Sequence, residues 1–278
     1  MAERKILKMV RGRETVDGAG VHLVRVLSNR DVEDFDPFLM LDSFDSTDPG
    51  DYIAGFPMHP HRGIETITYL ISGRIEHEDS LGNKGAIDAG KSQWMTAGSG
   101  ILHQEMPKPS ERMLGFQLWL NLPRTEKMTA PAYFDITPDR MGTAREGNAE
   151  IRVISGSFSG VSGVKPPHIP ASLYDIRLPR GEKLDIETPP EETVFVFSIV
   201  GQALISGRTV PEKTAVLFGE GDRISVGAPP DSDSKVIFFS GNPLHEPVSW
   251  GGPIVMNTRE ELELAFQELE EGTFIKHP

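Results

Sequence analysis

Apolar and polar positions along this chain sort into short runs rich in β-branched and aromatic residues, each closed by a turn residue. Residues 64–71 (IETITYLI) stop at Ser72-Gly73, residues 193–200 (TVFVFSIV) stop at Gly201, and residues 235–239 (KVIFF) stop at Ser240-Gly241-Asn242-Pro243. Runs of this length between turn signals predict an all-β protein, a sandwich or barrel. One stretch has the helical period instead. From Thr258 to Leu269 the apolar residues Leu262, Ala265, Phe266 and Leu269 recur on one face, and Thr258 with Glu261 fits a capping box. This predicts a C-terminal helix that packs its apolar stripe on the strands.

The pattern repeats over a long distance. Gly73 and Gly201 lie 128 residues apart, Gly90 and Gly221 lie 131 apart, and Gly98 and Gly227 lie 129 apart. In both copies a strand ends at glycine, a hairpin follows, and a glycine turn precedes the next strand. A duplicated β unit is predicted. The polar, turn-rich segment 136–149 (ITPDRMGTAREGNA) divides an N-terminal half, 1–135, from a C-terminal half, 136–278.

Composition narrows the picture. The 278 residues include 28 glycines and 22 prolines, an excess that suits many turns. The net charge is −13, with no basic cluster, which disfavours direct nucleic-acid binding. There is no cysteine, so a disulfide framework, a thiolate nucleophile and a cysteine metal site are excluded. The N-terminal residues lack the apolar segment of a secretory signal, and no apolar window is long enough to span a membrane. A soluble, monomeric protein is expected, cytoplasmic, and also nuclear if its source is eukaryotic.

The candidate chemistry lies in the histidines. His59 and His61 stand two apart in GFPMHPHRGIE, and His103 and Glu105 stand two apart in GILHQEM. On extended backbone, alternate residues share a face. If the two segments are neighbours in a barrel, three imidazoles and one carboxylate converge in its lumen. That donor set suits iron, manganese, nickel, copper, cobalt or zinc, and leaves open positions for a reactant. Glu65, four residues after His61, has the same parity and is a rival for the carboxylate. Shifting His59 and His61 by 128 gives Glu187 and Pro189, and shifting His103 and Glu105 by 129 gives Ser232 and Ser234. The second unit is therefore expected to lack a metal site. His77 reads as a solvated hairpin residue, and His168, His245 and His277 have no partner at ligand spacing. Trp94 and Trp119 are expected to serve packing.

The segments PFLMLDSFD (37–45), GFPMHPHRGIETITYLISG (55–73), QWMTAGSGILHQEMP (93–107), GFQLWLNLP (115–123) and LHEPVSWGGPIVMNT (244–258) resemble the pirin family in content and order. The resemblance implies two cupin barrels in tandem with a short C-terminal helix. It further implies one divalent metal ion, iron(II) above all, in the N-terminal cupin alone. Its ligands would be His59, His61, His103 and Glu105, with Glu105 favoured over Glu65. Phe56 and Gln117 fall where the family has pocket residues. Two functions follow from the resemblance. One is a quercetin 2,3-dioxygenase that opens flavonols with dioxygen and releases carbon monoxide, Glu105 serving as base. The other is an iron-dependent redox-sensing co-regulator that binds a protein partner such as a transcription factor or metabolic enzyme.

Overall fold

A computed structural model describes residues 2–277. The chain forms two compact units. One comprises residues 14–137 and 244–278, the other residues 1–13 and 138–243. Each contains one seven-stranded and one four-stranded antiparallel sheet. The predicted runs appear as Ile64–Ser72, Thr193–Val200 and Ser234–Gly241. The helix runs from Arg259 to Glu270, with the Thr258–Glu261 capping box formed. Both units are cupin barrels.

The duplication is visible strand by strand. In the first barrel the long sheet places Ile64–Ser72 between Ser92–Thr96 and Met113–Asn121; in the second, Thr193–Val200 lies between Thr214–Phe218 and Ser234–Gly241. The short sheet of the first barrel runs Phe56–His61, Ile101–Pro107, Arg74–Asp79, Lys84–Asp88. That of the second runs Lys183–Glu187, Arg223–Gly227, Ala203–Ile205, Arg208–Val210.

The compact units are not the contiguous halves 1–135 and 136–278. The chain's ends are exchanged between them. Strand Ile6–Arg11 pairs with Thr214–Phe218 and extends the long sheet of the second barrel. The tail after Pro243 belongs to the first barrel, where Ile254, Met256, Ala265 and Phe274 form a buried cluster with Leu102 and Leu262 packed against it. Of the three glycine offsets only Gly73 to Gly201 joins equivalent places, each just after the matching strand, whereas Gly98 precedes Ile101–Pro107 and Gly227 ends Arg223–Gly227; none of them carries a trace of this exchange.

Two basic residues, Arg62 and Lys127, fasten the tail. Buried Arg62 donates to Ser99 O at 2.6 Å and to Phe274 O at 2.8 Å, pairs with Glu268 at 2.7 Å, and lies over the Phe274 ring. Lys127 Nζ donates to Gly63 O, Asn121 Oδ1 and Val255 O at 2.7–3.0 Å. At Gly63 the backbone has φ +77°, and a Cβ there would meet Val255 O at 2.0 Å. Only glycine lets the tail approach the histidine strand this closely.

Candidate metal centre

The first barrel's short sheet carries the histidines. Strand Phe56–His61 contains two prolines, Pro57 and Pro60, which cannot donate to a ladder. It can therefore lie only at an edge, and it does, next to Ile101–Pro107. His103 pairs with His59, but Glu105 pairs with Phe56, so the register slips by one residue between them. Such a bulge re-aims the side chains around it.

His59, His61 and His103 converge. Their ligating nitrogens all lie within 4.8 Å of one another, the one group of this kind among the described residues. His61 and His103 are 1% and 2% exposed, while His59 is half-buried and faces the cavity. His59 Nδ1 lies 2.9 Å from Pro57 O, and His61 Nδ1 lies 3.0 Å from Pro253 O. A carbonyl only accepts, so each Nδ1 carries a proton and each Nε2 is turned away from that carbonyl, into the site. Those two Nε2 atoms stand 3.1 Å apart. His103 Nε2 is buried with no hydrogen-bond partner. Burial pushes His61 down to about 3 and His103 well below its ordinary value, so both stay neutral. Three imidazoles with ligating nitrogens this close, two of them buried and neutral and one of these with no hydrogen-bond partner, are a donor set suited to a cation. The residues present fit a metal ion.

Glu105 lies beside this group but outside it. Gln117 Nε2 donates to both of its carboxylate oxygens, at 3.0 and 2.8 Å, and Thr68 Oγ1 donates at 3.2 Å. Glu65 is wholly buried and accepts from Thr96 Oγ1 at 2.8 Å, away from the histidine group.

A cavity of about 620 Å³ opens onto His59, His61 and Glu105, within the range of roughly 300–1,000 Å³ usual for small-molecule sites. Phe56 and Gln117 both line it, with Met40, Phe44, Trp119 and Trp250. Trp119 thus does more than pack. Its ring meets His61 edge-on at 4.9 Å, and its indole N–H donates to Gln117 Oε1 at 3.1 Å. Trp94 has the expected packing role, wholly buried and stacked on Phe134.

Three features escape the sequence reading. His77 is not a solvated hairpin residue. It is 7% exposed, opposite Glu105 in the ladder, stacked on Tyr133 and within 2.7 Å of Gln93 Nε2. Gly85 makes room for it, because a Cβ there would lie 2.5 Å from His77 Nε2. Pro253, from the tail, fixes the orientation of His61. Arg25 donates to both oxygens of buried Asp42 at 2.9 and 2.7 Å, at the cavity wall. Alternation in Arg74–Asp79 could have flagged His77, since Ile75, His77 and Asp79 share a parity and are all buried.

Comparison with known proteins agrees with this construction. A family model described as pirin matches residues 20–120, and one described as the pirin C-terminal cupin domain matches residues 173–275. The chain is 42% identical over 278 residues to a pirin-like protein of Caulobacter vibrioides, covering 99% of this chain and all of that one. A crystal structure of quercetin 2,3-dioxygenase from Acinetobacter baumannii superimposes with a TM-score of 0.89 at 32% identity, covering 98% of this chain and 99% of that one. The bacterial pirin YhhW of Escherichia coli, solved in complex with nickel(II), matches with a TM-score of 0.64 at 25% identity, covering 85% of this chain and 98% of that one. With the motif order, the paired barrels and these full-length matches in agreement, the chain belongs to the pirin family.

Proposed function

We propose that this protein is an iron-dependent dioxygenase that opens flavonols such as quercetin with release of carbon monoxide. The observation that carries the metal site is the convergence of three imidazoles whose ligating nitrogens lie within 4.8 Å of one another, with His103 Nε2 buried and unpartnered among them. His59, His61 and His103 would hold the ion, with Glu105 as the neighbouring carboxylate. Bound there, iron supplies a Lewis acid for an anionic oxygen and one-electron chemistry toward dioxygen. The substrate class rests on the similarity to the Acinetobacter baumannii dioxygenase and on the walls of the cavity.

The protein's own residues have distinct tasks. Glu105 accepts the proton of the flavonol 3-hydroxyl, which makes the ring system electron-rich. A base of this kind must come within hydrogen-bond reach of that proton. Phe56 and Phe44, with ring centroids 6.3 Å apart, offer apolar faces to a flat ring. Trp119 and Trp250, 5.9 Å apart, cover the side nearest His61 and keep water from the reacting centre. Neutral His61 and His103 bring no positive charge of their own to repel the ion.

The test is anaerobic loading with ferrous ion, then quercetin and oxygen, recording dioxygen uptake and carbon monoxide release together. Matched uptake and release, both absent in His61→Ala, is the expected result. A metal-loaded protein that releases no carbon monoxide would overturn the assignment of this reaction.

A further inference from the structure

The cavity wall continues away from the histidines along the long sheet. Gln117 is followed by Asp42 and then Arg25, each the direct ladder partner of the one before, and all three line the cavity. Neighbouring strands lie about 4.8 Å apart, so the backbone of Arg25 stands roughly 10 Å from that of Gln117. Neither Asp42 nor Arg25 belongs to the histidine group. The pair is tightly built. The Asp42 side chain is 6% exposed, and Arg25 grips both of its oxygens, through Nε at 2.9 Å and Nη2 at 2.7 Å. The more exposed Asp17 accepts from the same Nη2 at 2.6 Å and steadies the guanidinium. Nη1 makes no hydrogen bond among the described residues. The strands concerned, Val21–Leu27 and Phe38–Ser46, are already joined by their ladder, and a buried ion pair adds little stability of its own.

We propose that Arg25 and Asp42 are specificity-determining residues that recognise phenolic hydroxyls on the part of the substrate remote from its reacting hydroxyl. A carboxylate bonded at both oxygens retains lone pairs that accept an O–H, and the guanidinium retains a donor. With Asp17, two carboxylates surround one guanidinium. Acceptors therefore outnumber what the arginine consumes, which suits neutral hydroxyl groups. The apolar faces of Phe56 and Phe44 accept a flat ring without regard to its substituents, so discrimination falls to the polar wall. The substrate class narrows from any flat oxygen donor to a polyhydroxylated one. The inference rests on the reading of this cavity as a flavonol site and deepens it.

The test is a ratio of affinities, measured without oxygen so that nothing turns over. Quercetin and 3-hydroxyflavone, which carries the reacting hydroxyl and no other, are each titrated into the ferrous-loaded full-length protein. Quenching of tryptophan fluorescence reports binding, since Trp119 and Trp250 line the cavity. Quercetin should bind about 10–100-fold more tightly, the range set by hydrogen bonds to charged groups. In Arg25→Met/Asp42→Leu, which leaves neither member of the pair buried without its partner, quercetin falls to the affinity of 3-hydroxyflavone, and 3-hydroxyflavone itself does not change. Loss of a merely structural pair would weaken both ligands alike. Arg25→Lys keeps the charge, loses the two-pronged grip on Asp42 and closes part of the gap; it decides the matter if the double variant binds neither ligand. Equal affinities in the unaltered protein, or a ratio that Arg25→Lys and the double variant leave unchanged, would overturn the role of the pair alone. Failure of the unaltered protein to bind either flavonol would overturn the substrate reading and the pair with it.

Discussion

The two barrels share a plan and differ in what fills them. In the first, direct ladder partners across the long sheet form a polar row: Arg25, Asp42, Gln117, Thr68, Gln93 and Asp135. At the spacing that relates Gly73 to Gly201, Thr68 maps onto Val196. The row through Val196 in the second barrel reads Val153, Tyr174, Phe238, Val196 and Val216, all in one hydrophobic cluster. The short sheets show the same contrast. His59 and His103 pair in the first barrel, whereas the inward positions of the corresponding strands in the second are Leu184, Ile186, Ile224 and Val226.

One barrel thus retains polar groups in its interior and the other fills the same space with hydrocarbon. Buried polar groups cost free energy unless every donor and acceptor is paired. The first barrel meets that condition along most of its row, with Arg25 on Asp42, Gln117 and Thr68 on Glu105, and Gln93 on His77 and Asp135. Among the histidines it leaves His103 Nε2 buried without a partner, a position a cation would fill. The second barrel gains the simpler stability of an apolar interior and has no comparable group of ligating side chains among the described residues.

The largest expected effect breaks the comparison outright. His61→Ala strips the metal and lowers any oxygenase activity by more than about a hundredfold, beyond what loss of an outer hydrogen bond costs; metal analysis and oxygen uptake measure it. Glu105→Gln is expected to keep the metal and lose roughly 10²–10⁴-fold in turnover, the usual contribution of a positioned base. Full activity in that variant would remove Glu105 from the role. In the second barrel, Phe238→Ala should destabilise the fold by about 3–5 kcal/mol through the cavity it leaves. Metal content should not change, as denaturant unfolding beside metal analysis would show.

The smallest effect concerns the tail. Burial pushes Lys127 down to about 7, whereas a lysine in an unfolded chain titrates near 10.4. Between those values the unfolded chain holds a proton that the folded one does not. The contribution of Lys127 therefore makes stability rise with pH from about 7 to about 10, by at most about 1.4 kcal/mol per pH unit. Below pH 7 both states hold the proton and the penalty is full. Lys127→Met should flatten this slope in unfolding curves taken at several pH values, and an unchanged slope would refute the assignment.

Much of this was legible in the residues because it depends on local periodicity. Two histidines at alternate positions on an extended segment must share a face, and the β-branched runs must be strands. What escaped is set by pairing between distant segments. The slip between His103 and Glu105 aims the carboxylate at Gln117, and no spacing within GILHQEM encodes it. A uniform shift of 129 placed the counterparts of His103 and Glu105 at Ser232 and Ser234. The strand that occupies their place is Arg223–Gly227, because the intervening hairpins differ in length. The exchange of the ends was hidden for a related reason. Pro253 meets His61 from 192 residues away, through a backbone carbonyl whose side chain carries no signal.

The central claim is that one barrel of two holds a single metal ion on three histidines. Its most direct test is a metal titration of the unaltered protein and of His103→Ala, with bound ion counted per chain under anaerobic conditions. One ferrous ion per chain, lost in the variant, is the predicted result. Two ions per chain, or one that survives in His103→Ala with unchanged affinity, would contradict it.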